Sequence, residues 1–435
     1  MNRFGLAVAA ATATALLLTP GAFAESPRPN IVIILADDLG YADVSFNPRH
    51  AKAVSTPNLD TLARAGVICR QGYVTGNVCS PTRAGLMTGR YQQRAGIYTG
   101  GEGGSGLPLT ETIFPQFLKP AGYTCAAFGK WHLGLTREYN PAARGFDEFY
   151  GFLGRGAHDY FRLDDPAAPL YRGLEPIKDQ GYLTDRLGDE ACAFIRRHKG
   201  RPFFVYLAFN AVHAPLQAPA EEIAKFNTGN KTRDTLLAMG RRLDDAVGRV
   251  LATLKREGVW ENTLIVFLSD NGGPLKQTAD NSPLRGGKHQ DYEGGLRVPF
   301  VVCWPAQLKG GREVQTPVIS LDILPTALAA AGLPAPKEKP LDGLNILPLL
   351  RGEANPPPRT FFWSSASTGG WWAVRTGDWK LVAFRGRVEL FDLARDPAEQ
   401  NDLAQRMPAK VAELTRLHDA WLAEMAPPRK AGAKK

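Results

Sequence analysis

The first uninterrupted apolar stretch after the first two dozen residues is that of Asn30-Ile-Val-Ile-Ile-Leu-Ala-Asp37, a near-continuous β-branched run. Alternation is missing from it, which predicts a strand buried on both faces of a parallel sheet. Similar runs recur at Tyr123–Phe128, Phe203–Phe209, Leu264–Leu268 and Val298–Trp304. Between them the apolar spacing changes to that of helices, at Thr184–His198 and from Arg233 to Glu257, where Gly258 is a stop. A shorter helix is expected to start at Thr56-Pro57, with Thr56 as N-cap and Pro57 at the first helical position, and to end at Gly66. Strands alternating with helices predict an α/β fold with a large, mainly parallel central sheet and helices on both faces.

From about Pro356 the texture changes. Trp371-Trp372-Ala-Val-Arg375, Trp379-Lys-Leu-Val-Ala383 and Glu389-Leu-Phe-Asp392 read as short strands joined by turns, and an amphipathic helix follows around Lys410–Met425. This predicts a small C-terminal antiparallel-sheet subdomain with a covering helix. The expected division is residues 1–24, 25–355 and 356–435.

The first of these segments reads as an export signal. Arg3 supplies a positive charge, Leu6 to Leu18 is apolar but too short to span a bilayer, and Ala22-Phe23-Ala24 is a small-x-small cleavage site. A soluble protein delivered to a periplasm or secreted is therefore expected, with no stable membrane insertion. Of 435 residues 44% are hydrophobic and 22% charged, and the net charge is +9. Outside Arg429-Lys430 and Lys434-Lys435 in the tail, no dense basic run accompanies that charge, which argues against nucleic acid and for a small or polymeric anion. Four of the five cysteines (Cys69, Cys79, Cys125, Cys192, Cys303) can form two disulfides in an oxidising compartment, with three pairings open. Cys125 and Cys303 sit in apolar strand-like runs and read more simply as buried thiols.

Chemistry collects at the predicted strand ends. Asp37-Asp38 follows the first strand and Asp270-Asn271-Gly-Gly follows another. In an open parallel sheet these pairs meet beyond the carboxyl ends of the strands. Three carboxylates and one amide oxygen suit a hard cation such as calcium or magnesium, without which they repel one another. Either pair alone reads as a turn; both together, each after a buried strand, favour a metal site. The same logic brings in Lys130 and His132 from Gly-Lys-Trp-His, His213 from Asn-Ala-Val-His-Ala-Pro, and Lys288 from Arg-Gly-Gly-Lys-His. Together these make a positive pocket for a tetrahedral anion. Cys79, in Val78-Cys-Ser-Pro81-Thr-Arg83, lies where a helix is expected to begin near Pro81, so a low-pKa thiol is expected. A cysteine beside an oxygen-ligand cation is not explained by residue physics alone.

These segments together resemble the type I sulfatases, the formylglycine-dependent arylsulfatase family of the alkaline phosphatase superfamily. The resemblance runs through Pro29-Asn-Ile-Val-Ile-Ile-Leu-Ala-Asp-Asp-Leu-Gly40, Cys79-x-Pro-x-Arg83, Gly-Lys130-Trp-His132, His213-x-Pro215, Asp270-Asn271-Gly and Gly-Gly-Lys288. Thr82 stands where the commonest family form has serine. The maturation enzyme of such proteins reads mainly the Cys, Pro and Arg, so conversion of Cys79 is expected.

The resemblance implies a sulfuric ester hydrolase acting on a sulfated carbohydrate or aryl sulfate. It implies that Cys79 becomes formylglycine, whose hydrated aldehyde (a gem-diol) attacks sulfur, giving a covalent sulfo-enzyme that eliminates sulfate. Asp37, Asp38, Asp270, Asn271 and the modified Cys79 are implied to hold one calcium ion, with magnesium as alternative. Arg83 and Lys130 are implied to orient the nucleophile, His132 to take the second hydroxyl's proton, and His213 and Lys288 to contact sulfate and protonate the leaving alcohol. Rim loops carrying His158, Asp159, His289, Asp291 and Trp371 are candidates for sugar contacts. Two other readings stand beside this one. One is a phosphodiesterase or phosphonate monoester hydrolase with the same modified nucleophile; the other is a non-catalytic binder of anionic glycan, should Cys79 not be matured.

Overall fold

The computed structural model describes Met1 and residues 28–101, 105–154, 157–365 and 370–429. The expected export signal after Met1, Arg155 of a rim loop, and the end of the basic tail from Lys430 lie outside the described residues. No helix among the described residues is long and apolar enough to cross a membrane.

Ten strands form the main sheet: β1 (Asn30–Ala36), β2 (Val67–Cys69), β4 (Thr124–Lys130), β5 (Glu148–Phe152), β6 (Leu170–Arg172), β7 (Glu175–Ile177), β8 (Phe203–Ala208), β9 (Thr263–Ser269), β10 (Phe300–Cys303) and β11 (Arg312–Val314). Their order is β11-β2-β10-β9-β1-β8-β4-β5-β6-β7. The centre, β9-β1-β8-β4-β5, is parallel throughout, with Ile33 of β1 level with Tyr206 of β8 and Val266 of β9. β10 runs antiparallel to β9, a reversal that its apolar run did not reveal. β3 (Gly72–Tyr73) and β12 (Val318–Ile319) pair separately.

All seven residues of β1 are buried, for the reason its sequence gave. Ile31, Ile33 and Leu35 point to one core, shared with α2 (Cys79–Thr88) and α5 (Ile323–Ala330). Val32, Ile34 and Ala36 point to the other, shared with α1 (Pro57–Ala65), α3 (Leu183–His198) and α4 (Lys231–Arg256). Each fully buried aliphatic side chain contributes roughly 1.5–3 kcal/mol, so this two-sided strand anchors the sheet.

The expected cap of α1 is corrected. Thr56 makes no cap; its hydroxyl instead accepts from Ser45 N–H. The first amides of α1 are satisfied from α4, where Asp244 accepts from Asn58 N (3.1 Å) and Leu59 N (2.8 Å). The two-disulfide alternative is also corrected. All five cysteines are free and buried, including Cys125 and Cys303.

Four further strands, β13 (Thr360–Ser365), β14 (Trp371–Thr376), β15 (Trp379–Phe384) and β16 (Arg387–Asp392), make an antiparallel sheet in sequence order. α6 (Pro408–Ala423) covers one face through Leu414, against Val374, Leu381 and Leu390. The other face buries Trp363, Trp371 and Phe391 against Tyr73, Leu296 and Ile319 of the main body.

Candidate active site

Four adjacent strands deliver the site at their carboxyl ends. Asp37 and Asp38 follow β1, Asp270 and Asn271 follow β9, Lys130 is the last residue of β4, and Asn210 and His213 follow β8. Gly129 turns Lys130 inward: it has φ +106°, and a Cβ there would sit 1.9 Å from the Ala208 carbonyl oxygen. Asp38 (φ +65°), His132 (φ +58°) and His289 (φ +73°) also adopt left-handed backbone, which costs a side-chain-bearing residue energy and persists only where surrounding contacts enforce it.

Cys79 is the first residue of α2, which starts two residues earlier than expected. Its Sγ lies 3.4 Å from Asp37 Oδ1 and 3.4 Å from Lys288 Nζ. Burial raises the thiol, yet the charges of Lys130 and Lys288 bring it down to about 6, matching the expected low-pKa position.

The carboxylates are held by cations. Lys130 Nζ is 2.5 Å from Asp37 Oδ2, and Lys288 Nζ is 2.6 and 2.8 Å from the two oxygens of Asp38. Arg83 donates Nε and Nη2 to Asp270 Oδ2 and Nη1 to the Lys130 carbonyl. Asp37, Asp38, Arg83, Lys130, Asp270 and Asn271 are all at most 1% exposed. Burial pushes the Asp37 carboxyl well above its usual range, and repulsion from Asp270 and Cys79 adds to this. Burial also opposes ionisation of Asp38 and Asp270, but Lys288 and Arg83 respectively hold them below the ordinary carboxylate value.

A cation fits here. Asp37, Asp38, Cys79 and His213 each present one ligand atom, all within 4.8 Å of one another. Asn271 donates Nδ2 to Asp38 Oδ1 at 2.7 Å and leaves its own Oδ1 buried without a hydrogen-bond partner among the described residues. A hard cation satisfies such an oxygen and relieves the repulsion at Asp37.

The two histidines differ. Burial lowers His132 well below the usual imidazole value, and the charges of Lys130 and Arg83 lower it further; its Nδ1 is buried without a hydrogen-bond partner among the described residues. His213 lies 3.6 Å from Asp38 through Nε2. Burial lowers it too, but the charge of Asp37 and a hydrogen bond with Cys79 raise it to about 9. Two further residues hold these histidines. Ser80 Oγ donates to the His132 carbonyl at 2.7 Å, and Tyr160 hydroxyl reaches the carbonyls of Asn210 (2.6 Å) and His213 (2.8 Å). Ser80 was findable as a neighbour of Cys79; nothing in the spacing points to Tyr160.

The expected rim residues divide. His289 stays beside Lys288 and is exposed. His158 is 4% exposed and both ring nitrogens face carbonyls, those of Asp159 (2.6 Å) and Ala168 (2.8 Å), so it has no nitrogen left for a sugar. Both oxygens of Asp159 are also occupied, Oδ1 by the amides of Phe161 and Arg162 and Oδ2 by Gln217. Asp291 is 1% exposed and accepts from Asn77 at 2.6 Å. Trp371 is 7% exposed and stacked on Phe384 at 4.2 Å. His158, Asp291 and Trp371 are thus corrected from substrate contacts to internal supports, whereas Asp159 stays partly exposed.

Residues 29–333 match the family model described as sulfatase, and residues 287–424 match one described as N-sulphoglucosamine sulphohydrolase, C-terminal. The chain is 35% identical over 395 residues to the uncharacterized sulfatase YdeN of Escherichia coli K12, covering 78% of this chain and 69% of that protein. It is 34% identical over 370 residues to human N-acetylgalactosamine-6-sulfatase, covering 79% and 70%. The crystal structure of Ps i-CgsB in complex with k-i-k-neocarrahexaose superposes with a TM-score of 0.88 at 37% identity, covering 92% of this chain and 94% of that one. With the strand-end site and these matches in agreement, the chain belongs to the sulfatase family, within the alkaline phosphatase superfamily, and is a sulfatase enzyme.

Proposed function

We propose that the chain removes sulfate from a sulfated carbohydrate with a nucleophile built at position 79. The observation that carries this reading is the convergence of Lys130, Lys288 and His213 on Cys79 and the Asp37–Asp38 pair, which collects positive charge around one buried nucleophile position. A relative named for N-acetylgalactosamine-6-sulfate chemistry and a structural neighbour solved with a neocarrahexaose support a sugar as the carrier.

Oxidised to formylglycine by a separate maturation enzyme, position 79 supplies a hydrated aldehyde with one hydroxyl to attack sulfur and a second whose deprotonation expels sulfate. Asp37, Asp38, Asp270, Asn271 and residue 79 would hold a calcium ion, which would supply positive charge to favour the ionised hydroxyl and to polarise sulfate. The rest falls to the chain's own side chains. Arg83 fixes Asp270 and the end of β4, and so the place of Lys130. His132, kept neutral, has an Nδ1 with no hydrogen-bond partner among the described residues and suits a base for the second hydroxyl. His213, raised to about 9, is protonated at neutral pH and suits the acid that protonates the leaving alcohol. Lys288 neutralises a sulfate oxygen. Export to a periplasm or the exterior through residues 1–24 belongs to the same reading.

The test is turnover of 4-nitrophenyl sulfate against 4-nitrophenyl phosphate mono- and diesters by protein expressed with its maturation enzyme. Preference for the sulfate is expected, followed by sulfate release from sulfated oligosaccharides. Preference for the phosphate esters overturns the reading.

A further inference from the structure

Behind the loop that carries Lys288 lies a buried ion cluster with no part in the mechanism above. Lys380, the second residue of β15, is 0% exposed and places Nζ 2.9 Å from Glu293 Oε1 and 2.9 Å from Glu399 Oε1. Glu293 and Glu399 are also 0% exposed. Tyr73 hydroxyl donates to the other oxygen of Glu293 at 2.6 Å. Charges this deep require partners, and these are paired across the junction between the C-terminal sheet and the main body.

Glu399 grips the Lys288 loop at both ends. Its Oε2 accepts from Glu293 N–H at 2.6 Å, and its carbonyl accepts from Arg285 Nη1 at 2.9 Å. Between those points the loop turns back on itself, with Gly294 N–H on the Arg285 carbonyl and Gly295 N–H on the Tyr292 carbonyl. The same turn touches the metal-ligand strand: Gly272 N–H donates to the Gly295 carbonyl, and a Cβ on Gly272 would lie 1.7 Å from Gly294 O. Lys288 N–H reaches the Gly273 carbonyl. Glu399 holds this grip at φ +53°, a left-handed backbone that a glutamate keeps only where its contacts demand it.

We propose that Lys380 is a positioning residue for the sulfatase reaction: by pairing Glu293 with Glu399 it clamps residues 285–293 and fixes Lys288 over position 79. The C-terminal sheet thereby sets the geometry of a sulfate-binding cation in the main body. The inference rests on the reading that Lys288 contacts sulfate.

The experiment uses the full matured chain with Lys380→Met, Lys380→Arg and Leu390→Ala. Leu390 lies on the opposite face of the same sheet, under α6, so its variant is the control for lost stability alone. Three quantities are read below the melting temperature: KM and kcat for 4-nitrophenyl sulfate, and inhibition by inorganic sulfate. Lys380→Met is expected to raise KM and the sulfate inhibition constant by about tenfold or more, because a displaced Lys288 loses the anion. Leu390→Ala is expected to keep both within about twofold, since it shares no partner with the clamp. Partial recovery is expected in Lys380→Arg, which restores the charge. Equal effects of Lys380→Met and Leu390→Ala overturn the proposal. Should Lys380→Met not fold, Glu399→Gln replaces it, with a smaller rise expected; unchanged constants in that folded variant overturn the proposal as well. Sulfate binding followed as a rise in melting temperature needs no turnover, so an inactive wild type whose sulfate affinity still depends on Lys380 overturns the proposed reaction and not the clamp.

Discussion

Arg83 donates two of its nitrogens, at 3.0 and 2.7 Å, to the same oxygen of Asp270, and neither side chain is exposed. The pair ties α2, which presents Cys79, to the end of β9. Arg83 also holds the Lys130 carbonyl, so one planar group sets the spacing of Cys79, Asp270 and Lys130. Lysine cannot reproduce that fork. Arg83→Lys is expected to lower kcat by about a hundredfold or more. Arg83→Ala leaves Asp270 buried and unpaired, at a cost of about 3–5 kcal/mol in thermal unfolding. A variant with wild-type melting and kcat shows the pair to be idle.

Maturation at Cys79 is read directly by mass. The tryptic peptide from Gln71 to Arg83, taken from protein expressed with its maturation enzyme, is expected to be about 18 Da lighter than the thiol form. Cys79→Ala is expected to fold and to have no turnover. An unmodified thiol in active protein removes formylglycine from the mechanism.

Chelation is expected to destabilise. With no cation, Asp37 is left against Asp270 and Asn271 Oδ1 has no hydrogen-bond partner among the described residues. A ligand that binds only the folded state at a hundred times its Kd adds about 2.7 kcal/mol, so melting in EGTA is expected to fall and calcium to restore it. Melting and turnover both indifferent to EGTA and EDTA contradict a metal at these residues.

His132 is expected to act after sulfur transfer. His132→Ala should lower steady-state turnover of 4-nitrophenyl sulfate by about 10²–10⁴-fold while leaving a stoichiometric burst of nitrophenol. Loss of the burst together with the steady state places His132 in the first step instead.

The pH dependence of stability is expected to report Asp291. Burial raises its carboxyl from 3.8 to about 7, against the opposing charge of Lys380 and the hydrogen bond from Asn77. The protonated form is favoured in the fold, so the associated stability is fully present below the unfolded value and lost as pH rises through about 7. Asp291→Asn cannot titrate. Its stability relative to wild type is expected to improve between pH 4 and pH 8, by a few kcal/mol at most. A flat or falling difference over that range contradicts the raised value.

The site was legible in the chain for a geometric reason. A strand buried on both faces must end where solvent begins, so the polar residues after Ala36 and Ser269 were bound to lie on one edge of a parallel sheet. Lys130, His132 and His213 followed from the same rule. Residues 158, 291 and 371 misled because polarity or an aromatic ring in a loop carries no record of its partners. His158 is spent on two carbonyls and Trp371 on Phe384, and neither contact has a local pattern.

By itself the sequence determined which residues are buried, where strands and helices alternate, and which polar groups stand at strand ends, because all three are set by side-chain chemistry over short stretches. Only the tertiary structure decided the reversal of β10, the capping of α1 by Asp244, and the clamp of Lys380 and Glu399 on the Lys288 loop. Each joins groups far apart in the chain. Their pairing depends on how packed layers bring distant surfaces together, and no periodicity in either segment encodes it.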